Sequence, residues 1–563
     1  MNGFIKQSLC FRPRLVDALK GYTLQDFSKD AIAGVTVGIV ALSLAMALGI
    51  ASNSTPAAGI YTAIVAGFLI SALGGSRVQI GGPTAAFIPV VVAVSVAHGP
   101  ANLVICTLMA GAMLLVMGAM RMGTMIKFIP FPVTAGFTAG IAIVIFSTQV
   151  KDFLGLDMKK NPGEFIERIR LLRESIATIQ WPSVALAASS LVLMKLWPAK
   201  FGRRVPASIV AVVAGTVVVA LFHIDVATIG SRFGLDAIPH SLPLPHWPEF
   251  KLDDLGHLIR PAFTIALLGA IESLLSAVVA DGMIDDRHDS NQELMAQGLA
   301  NMGSALIGGL PATGALARTA TNVRSGARSP VAGIVHSLTL LGIILLAAPL
   351  ARFIPLPTLS AVLVVVALNM GEWHNFKRLR RWPGSDTLVF LATFVLTVLF
   401  DLTIAVEVGM VMAAFLFIRR VAETTQIKDA DSTSFDEGPL GIADAASARA
   451  LPKGVMVYNV FGSLMFGAAE KLETALQRGQ QEPDVMILRM RQVLAIDATG
   501  LEALEDLAER LRHRGKHLLL CGPHSQPLFA MHQHGFIEWL GEENVCATVE
   551  ECIVRAQKLI GTK

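Results

Sequence analysis

Ile80-Gly81-Gly82-Pro83-Thr84-Ala85-Ala86 and, in the other half of the chain, Ile307-Gly308-Gly309-Leu310-Pro311-Ala312-Thr313-Gly314-Ala315 decide how this sequence is read. The two stretches look like copies of one another. Each interrupts a hydrophobic stretch and is followed by more apolar sequence. In a membrane protein, paired Gly/Pro breaks in corresponding halves point to two discontinuous helices whose N-termini meet at a central site. A helix N-terminus leaves N–H groups unpaired and carries partial positive charge, so it suits an anion. The breaks therefore predict a membrane carrier of small anions.

Composition agrees. Of 563 residues, 53% are hydrophobic and 16% charged, with mean hydropathy +0.59. Soluble domains carry about 25% charged residues, so most of this chain is expected to meet the lipid bilayer. A net charge of +3 argues against a nucleic-acid partner. The cysteines Cys10, Cys106, Cys521, Cys546 and Cys552 have no metal-ligand spacing, and the last three lie in a polar region that fits a reduced, cytosolic compartment. Residues 1–30 mix polar and apolar side chains, so no cleavable signal peptide is read.

Residues 1–30 read as an amphipathic cytoplasmic segment, 31–420 as the transmembrane domain, 421–450 as a polar linker and 451–563 as a small α/β domain. Within the transmembrane domain, apolar runs fall near 31–51, 59–74, 84–97, 101–119, 131–149, 182–197, 206–222, 261–280, 293–307, 313–324, 331–350, 356–370, 386–400 and 402–418. Several are shorter than the ~20 residues of a straight span. The short runs 84–97 and 313–324 follow the two breaks, as half-helices would. Fourteen spans place both termini on one side, and most clustered Lys and Arg then fall inside, as cytoplasmic loops require. The basic loop 151–180 is the exception to that count. In the last domain, Val455–Val460, Val485–Leu488 and His517–Leu520 read as strands, alternating with helices near 467–478, 499–513 and 525–534.

Several motifs carry a resemblance. They are Pro56-Ala57-Ala58-Gly59-Ile60-Tyr61-Thr62-Ala63 running to Gly74-Gly75-Ser76-Arg77, then Gly81-Gly82-Pro83-Thr84-Ala85, Gly136-Phe137-Thr138, Gln149-Val150-Lys151, Ile271-Glu272-Ser273-Leu274-Leu275 and Ile496-Asp497-Ala498-Thr499-Gly500. With them the chain resembles the SulP family of anion transporters, the sulfate permeases, over nearly its whole length. It departs from the family signature at Ala58, usually Tyr, and Ile60, usually Leu. Leu268–Leu275 and Val398-Leu399-Phe400-Asp401 look most like the bacterial C4-dicarboxylate transporters of the family. The resemblance implies 14 transmembrane segments as a 7+7 inverted repeat with two half-helices, a core domain moving against a gate domain, a cytoplasmic STAS domain and a homodimer.

Thr84, Ala85 and Ala86, with Thr313, Gly314 and Ala315, are expected to open the half-helices and bind the anion through backbone N–H groups and hydroxyls. The alternative is that Gly and Pro only kink packed helices. Arg318 stands one turn beyond Thr313-Gly314 and can add a full positive charge; its alternative is a structural ion pair. Glu272 is a lone carboxylate in an apolar run, with Ser276 four residues on along the same face. A carboxylate at that depth is expensive when ionised, which suits coupling to a proton. In the family this position serves the coupling cation. A proton is preferred here to sodium because Glu is longer than the Asp of sodium-coupled relatives. Permanent pairing of Glu272 with Arg318 is the other reading.

Ser43-Leu44 replaces the Pro-Gln usual in sulfate-type members, so Leu44, with Met46 and Phe87, is expected to give the pocket an apolar wall. That wall favours C4-dicarboxylates such as succinate over sulfate. Thr499 occupies the position phosphorylated in free-standing STAS proteins. Read locally, it is a helix N-cap completed by Glu502.

These readings predict a secondary active transporter of small anions in a bacterial inner membrane, with both termini cytoplasmic. A cytosolic protein is a candidate partner for the STAS domain. No enzyme chemistry, cofactor or metal is expected, since the chain has neither a Gly-x-x-x-x-Gly-Lys loop nor a nucleophile constellation. The rival readings are a sodium-coupled bicarbonate or sulfate transporter and an anion channel of the same fold.

Overall fold

A computed structural model describes residues 11–126, 130–158, 162, 164–198, 207–234, 241, 243–248, 252–400, 402–424, 426–429, 451–465 and 483–561, and the chain divides into two compact units, 1–411 and 412–563. The expected helix near 467–478, most of the linker and Asp401 lie outside the described residues.

The first unit is helical. After a short α1 (Arg14–Ala18) come α2 (Leu24–Ala51), α3 (Pro56–Leu73), β1 (Gly81–Gly82), α4 (Ile88–His98), α5 (Pro100–Ala119), α6 (Phe131–Leu154), α7 (Phe165–Glu174), α8 (Trp181–Leu196) and α9 (Ala207–Phe222). The second half continues with α10 (Leu252–Ile284), α11 (Ser290–Leu306), β2 (Thr313–Gly314), α12 (Leu316–Arg324), α13 (Val331–Ala351), α14 (Leu356–Met370), α15 (Gly384–Leu399) and α16 (Leu402–Thr424). Each apolar run read from the sequence thus coincides with a helix. Six helices among the described residues have the length and apolarity to cross a membrane, and five more are shorter apolar helices.

Local chemistry sets the helix starts. Thr23 accepts from Asp26 N and Asp26 from Thr23 N, a reciprocal box opening α2. Thr55 accepts from Ala58 N at 3.1 Å with Pro56 next in line, opening α3. Asp289 accepts from Asn291 N and Gln292 N to open α11. Where α5 and α11 pack, a Cβ on Gly111 would lie 2.7 Å from the Gly298 carbonyl, so only small residues allow the helices to approach.

The two breaks meet. β1 and β2 pair antiparallel, Gly81 with Gly314 and Gly82 with Thr313. This corrects the expectation that Thr84 and Thr313 open α-helices directly. Thr313 and Gly314 belong to the strand pair, and α12 starts at Leu316. On the other side Ala85–Phe87 form one 3₁₀ turn before α4 begins at Ile88. The physical reason is the backbone itself: paired strands satisfy N–H and C=O groups that a bare break would leave orphaned in lipid.

The loop 151–180 holds α7. Arg168 is buried there, donating to Ser147 Oγ at 3.0 Å and the Pro162 carbonyl at 2.7 Å. Arg170 pairs with Glu174. Part of that loop's basic charge is thus spent inside the protein, which a count of Lys and Arg does not see.

The second unit carries β3 (Gln426–Asp429), β4 (Val455–Leu464), β5 (Val485–Ile496), α17 (Ala498–His513), β6 (His517–Cys521), α18 (Ser525–Gln533), β7 (Val545–Cys546) and α19 (Val549–Gly561). The five strands lie in sequence order, β3 antiparallel to β4 and the rest parallel. Alternation covers both faces. Tyr458, Val460, Met486 and Leu488 pack in one cluster with Leu504 and Leu507 of α17, while Val455, Val457, Val485 and Ile487 pack in another with Cys552 and Ala556 of α19. The segment 421–450, read as linker, in fact contributes the end of α16 and the edge strand β3. Thr499 is not the helix cap. Asp497 is, accepting from Gly500 N at 2.9 Å, and Thr499 lies exposed in the first turn. Asp outcompetes Thr here because it stands at the residue whose backbone is still extended.

Candidate functional site

The strand pair brings Thr84, Arg318 and Glu272 together. The Thr84 hydroxyl does not cap its own helix; it donates to Glu272 Oε2 of α10 at 2.8 Å. Arg318, in the first turn of α12, is 2% exposed and donates through Nη2 to the Pro83 carbonyl at 3.0 Å. Among the described residues its Nε and Nη1 have no hydrogen-bond partner. Burying a guanidinium with donors unmet costs several kcal/mol, a cost that an accepting anion would offset. Neither α4 nor α12 has a side-chain cap at its start, so both N-termini remain available to the same ligand.

Glycine makes the approach feasible. A Cβ on Gly82 would lie 2.4 Å from Arg318 Nη1, and Gly82 also has φ +147°. A Cβ on Gly314 would lie 1.5 Å from Gln79 Nε2.

The remaining expected residues separate. Ala85, Ala86 and Ala315 are buried beside the helix starts. Thr313 is engaged elsewhere, its hydroxyl donating to the Gly269 carbonyl of α10 at 2.7 Å. Phe87 is buried, and a Cβ on Gly269 would lie 3.5 Å from its Cζ, so the ring packs on α10 one turn before Glu272. Met46 and Ser43 line an apolar cavity of about 330 Å³ with Ile39, Ile60, Ile344 and Phe353; Thr84, Glu272 and Arg318 do not line it. Leu44 is half-buried against the main core. Among the described residues Glu272 and Arg318 form no ion pair; the Glu272 carboxylate accepts from Thr84. Ser276 points its hydroxyl to Thr319 Oγ1 at 3.3 Å, and Thr319 Oγ1 accepts from Ile80 N at 3.0 Å.

Sequence reasoning missed Thr319, Gln79 and Ser273. Gln79 Nε2 donates to the carbonyl and hydroxyl of Ser273 at 3.1 and 3.0 Å. A signal existed in α11, where Glu293, Gln297 and Asn301 recur every four residues in a run read as a plain span.

In the acidic stretch Asp285–Asp289, the Asp286 and His288 side chains make ion-pair or hydrogen-bond contacts. Asp286 bonds Arg14 at 2.8 and 3.0 Å and lies 3.3 Å from Arg77. His288 Nδ1 lies 2.6 Å from Asp281 Oδ2. Burial raises the Asp286 carboxyl, but the Arg287 backbone N–H, the Arg14 bond and the charges of Arg14 and Arg77 together hold it below the usual carboxylate range.

The sulfate permease family model matches residues 27–393, and a STAS domain matches 449–552. This chain belongs to the sulfate permease family. It is an anion transporter, a multi-pass membrane protein and not an enzyme. It is 41% identical over 534 residues to the putative sulfate transporter YvdB of Bacillus subtilis (strain 168), covering 94% of this chain and 98% of that protein. It is 30% identical over 544 residues to the bicarbonate transporter BicA of Synechocystis sp. (strain ATCC 27184 / PCC 6803 / Kazusa), covering 94% of each. The transmembrane domain of a cyanobacterial BicA superposes with TM-score 0.62 at 30% identity, covering 70% of this chain and 98% of that one. SLC26A9 shares the fold at TM-score 0.85 and 18% identity, covering 100% of this chain and 95% of that one.

Proposed function

We propose that this sulfate permease family member is a secondary active, proton-coupled transporter of a small oxyanion across a bacterial inner membrane. Arg318 and the starts of α4 and α12 bind the anion; Glu272 carries the coupling proton. The observation that carries this reading is the buried Arg318 guanidinium, whose Nε and Nη1 have no hydrogen-bond partner among the described residues, beside a Glu272 carboxylate that accepts from Thr84. The fourteen helices that coincide with the runs read from the sequence serve as spans and half-spans, both termini are cytoplasmic, and two copies assemble as a dimer.

Sulfate or bicarbonate is the first choice of substrate. Relatives at 41% and 30% identity are named for those anions. The dicarboxylate expectation loses part of its support, because Met46 lines a separate apolar cavity. It remains the second reading because Leu44 replaces a family glutamine.

The proton is favoured over sodium because Glu272 is longer than the Asp of sodium-coupled relatives, and its carboxylate accepts from Thr84. When Glu272 takes a proton, its charge no longer opposes an incoming anion, and substrate and proton enter together.

The test is uptake into proteoliposomes of labelled sulfate, bicarbonate and succinate, each driven by a pH gradient or a sodium gradient. Saturable, pH-driven accumulation of sulfate or bicarbonate is expected. Accumulation driven by sodium alone overturns the coupling, equilibration without accumulation makes the protein a channel, and uptake of succinate alone reverses the substrate order.

A further inference from the structure

The Glu293 carboxylate is fully buried on α11 and accepts from four donors. Its Oε2 takes the backbone N–H of Gly75 at 2.9 Å and of Ser76 at 3.3 Å. Its Oε1 takes the Ser273 hydroxyl at 3.2 Å and Gln297 Nε2 at 2.8 Å. Among the described residues no basic side chain hydrogen-bonds with it, and the His288 ring acts on its charge only through space. Gly75 and Ser76 begin the arm that leads through Gln79 into β1, and Ser273 neighbours Glu272 on α10. Gln79 Nε2 also bonds Ser273 and packs against Gly314 of β2. Two turns further along the same face of α11, Asn301 accepts from Ala312 N and donates to the Ala312 carbonyl, both at 2.8 Å. One helix face therefore grips both arms of the strand pair.

We propose that Glu293 is a positioning residue for anion binding. It works as an acceptor that spans from the Gly75–Ser76 backbone to Ser273 and so fixes β1, Thr84 and the Arg318 contact against α10. What matters is reach and acceptor oxygen rather than negative charge. The helix α11 then serves as the fixed frame on which the two breaks are registered. The transport part of this inference rests on the function proposed above; the structural part does not.

Two variants separate reach from charge. Glu293→Gln keeps one oxygen for Gly75 and Ser76, and its new amide N–H gains an acceptor when the Gln297 amide turns over to present Oε1, which has no partner among the described residues. Glu293→Asp keeps the charge but retracts the carboxylate by one methylene, so it cannot meet both sets of donors. In the full-length reconstituted protein, amide hydrogen exchange across residues 75–82 should rise about tenfold or more in Glu293→Asp and stay near wild type in Glu293→Gln, as local opening follows lost hydrogen bonds. In sulfate and bicarbonate uptake, KM should rise about tenfold in Glu293→Asp, with the maximal rate less affected, and change less than about threefold in Glu293→Gln. Exchange that is unchanged in Glu293→Asp overturns the proposal. So does the reverse pattern, with the Gln variant impaired and the Asp variant normal, or equal impairment of both. Because exchange is read without substrate, it decides the clamp even if neither anion is transported.

Discussion

The hydroxyl of Thr84 donates to the carboxylate of Glu272 across 2.8 Å, joining residues 188 positions apart. The bond ties the turn that follows the first break to α10, the helix that carries Glu272. In the proposed mechanism a proton on Glu272 and an anion near Arg318 act on this one hydrogen-bonded neighbourhood.

Glu272→Gln keeps an acceptor for Thr84 and removes the titrating group. Uptake down a concentration gradient should persist, while accumulation driven by a pH gradient disappears. Uphill uptake by this variant would show that the proton is carried elsewhere.

Arg318→Ala removes the Pro83 contact and the unmet donors. The charge-assisted bonds are worth about 1.5–3 kcal/mol, so KM should rise roughly tenfold to 100-fold. Arg318→Lys should recover part of that loss, since it keeps the charge but not the fork. An unchanged KM in Arg318→Ala would move the anion site away from α12.

Gly82→Ala places a Cβ where Arg318 Nη1 now lies and demands a left-handed φ. Strain of this kind costs about 1–3 kcal/mol. The melting temperature of the purified protein should fall, and uptake should fall more than for Gly99→Ala, where a Cβ meets open space despite φ +85°.

Asp286→Asn breaks the contacts with Arg14 and Arg77. These side chains are 22%, 30% and 42% exposed, so the loss is about 1 kcal/mol at neutral pH. The Asp286 carboxyl is held low when folded, so its contribution is present above the unfolded pKa of about 3.9 and is lost as pH falls through the lower folded value. Melting curves of wild type and variant should differ at pH 7 and converge at the acid end. A constant gap across pH would mean that the charge is not what stabilises the contact.

Asp497→Ala should destabilise the first turn of α17 by about 1 kcal/mol, while Thr499→Ala should change little. Amide exchange of residues 498–503 in the full-length protein reads both. A larger effect at Thr499 would restore it as the cap.

The amphipathic and apolar runs were legible because helix periodicity and hydrophobic length are local properties. Each predicted span became a helix, and the strand–helix alternation after Val455 became the STAS sheet. Asp497 was misjudged in favour of Thr499 because both are capping residues and only the backbone dihedral chooses between them. Sequence spacing does not tell a pocket-wall Met46 from a packed one, and α2 turns that side chain into a cavity that Thr84, Glu272 and Arg318 do not line. The basic loop 151–180 resisted a charge count because Arg168 is internal.

By itself, the sequence determined that this is a membrane protein with two echoing breaks, an arginine beside the second and a lone carboxylate in an apolar run. Composition and chain order suffice for that, and the resemblance of its motifs pointed to the sulfate permease family. Only the tertiary structure decided that the breaks pair as strands, that Thr84 rather than Arg318 holds Glu272, and that Glu293 and Asn301 grip both arms from one helix. In the membrane interior every polar group must find a partner, and partners drawn from distant segments become known only when the chain has folded.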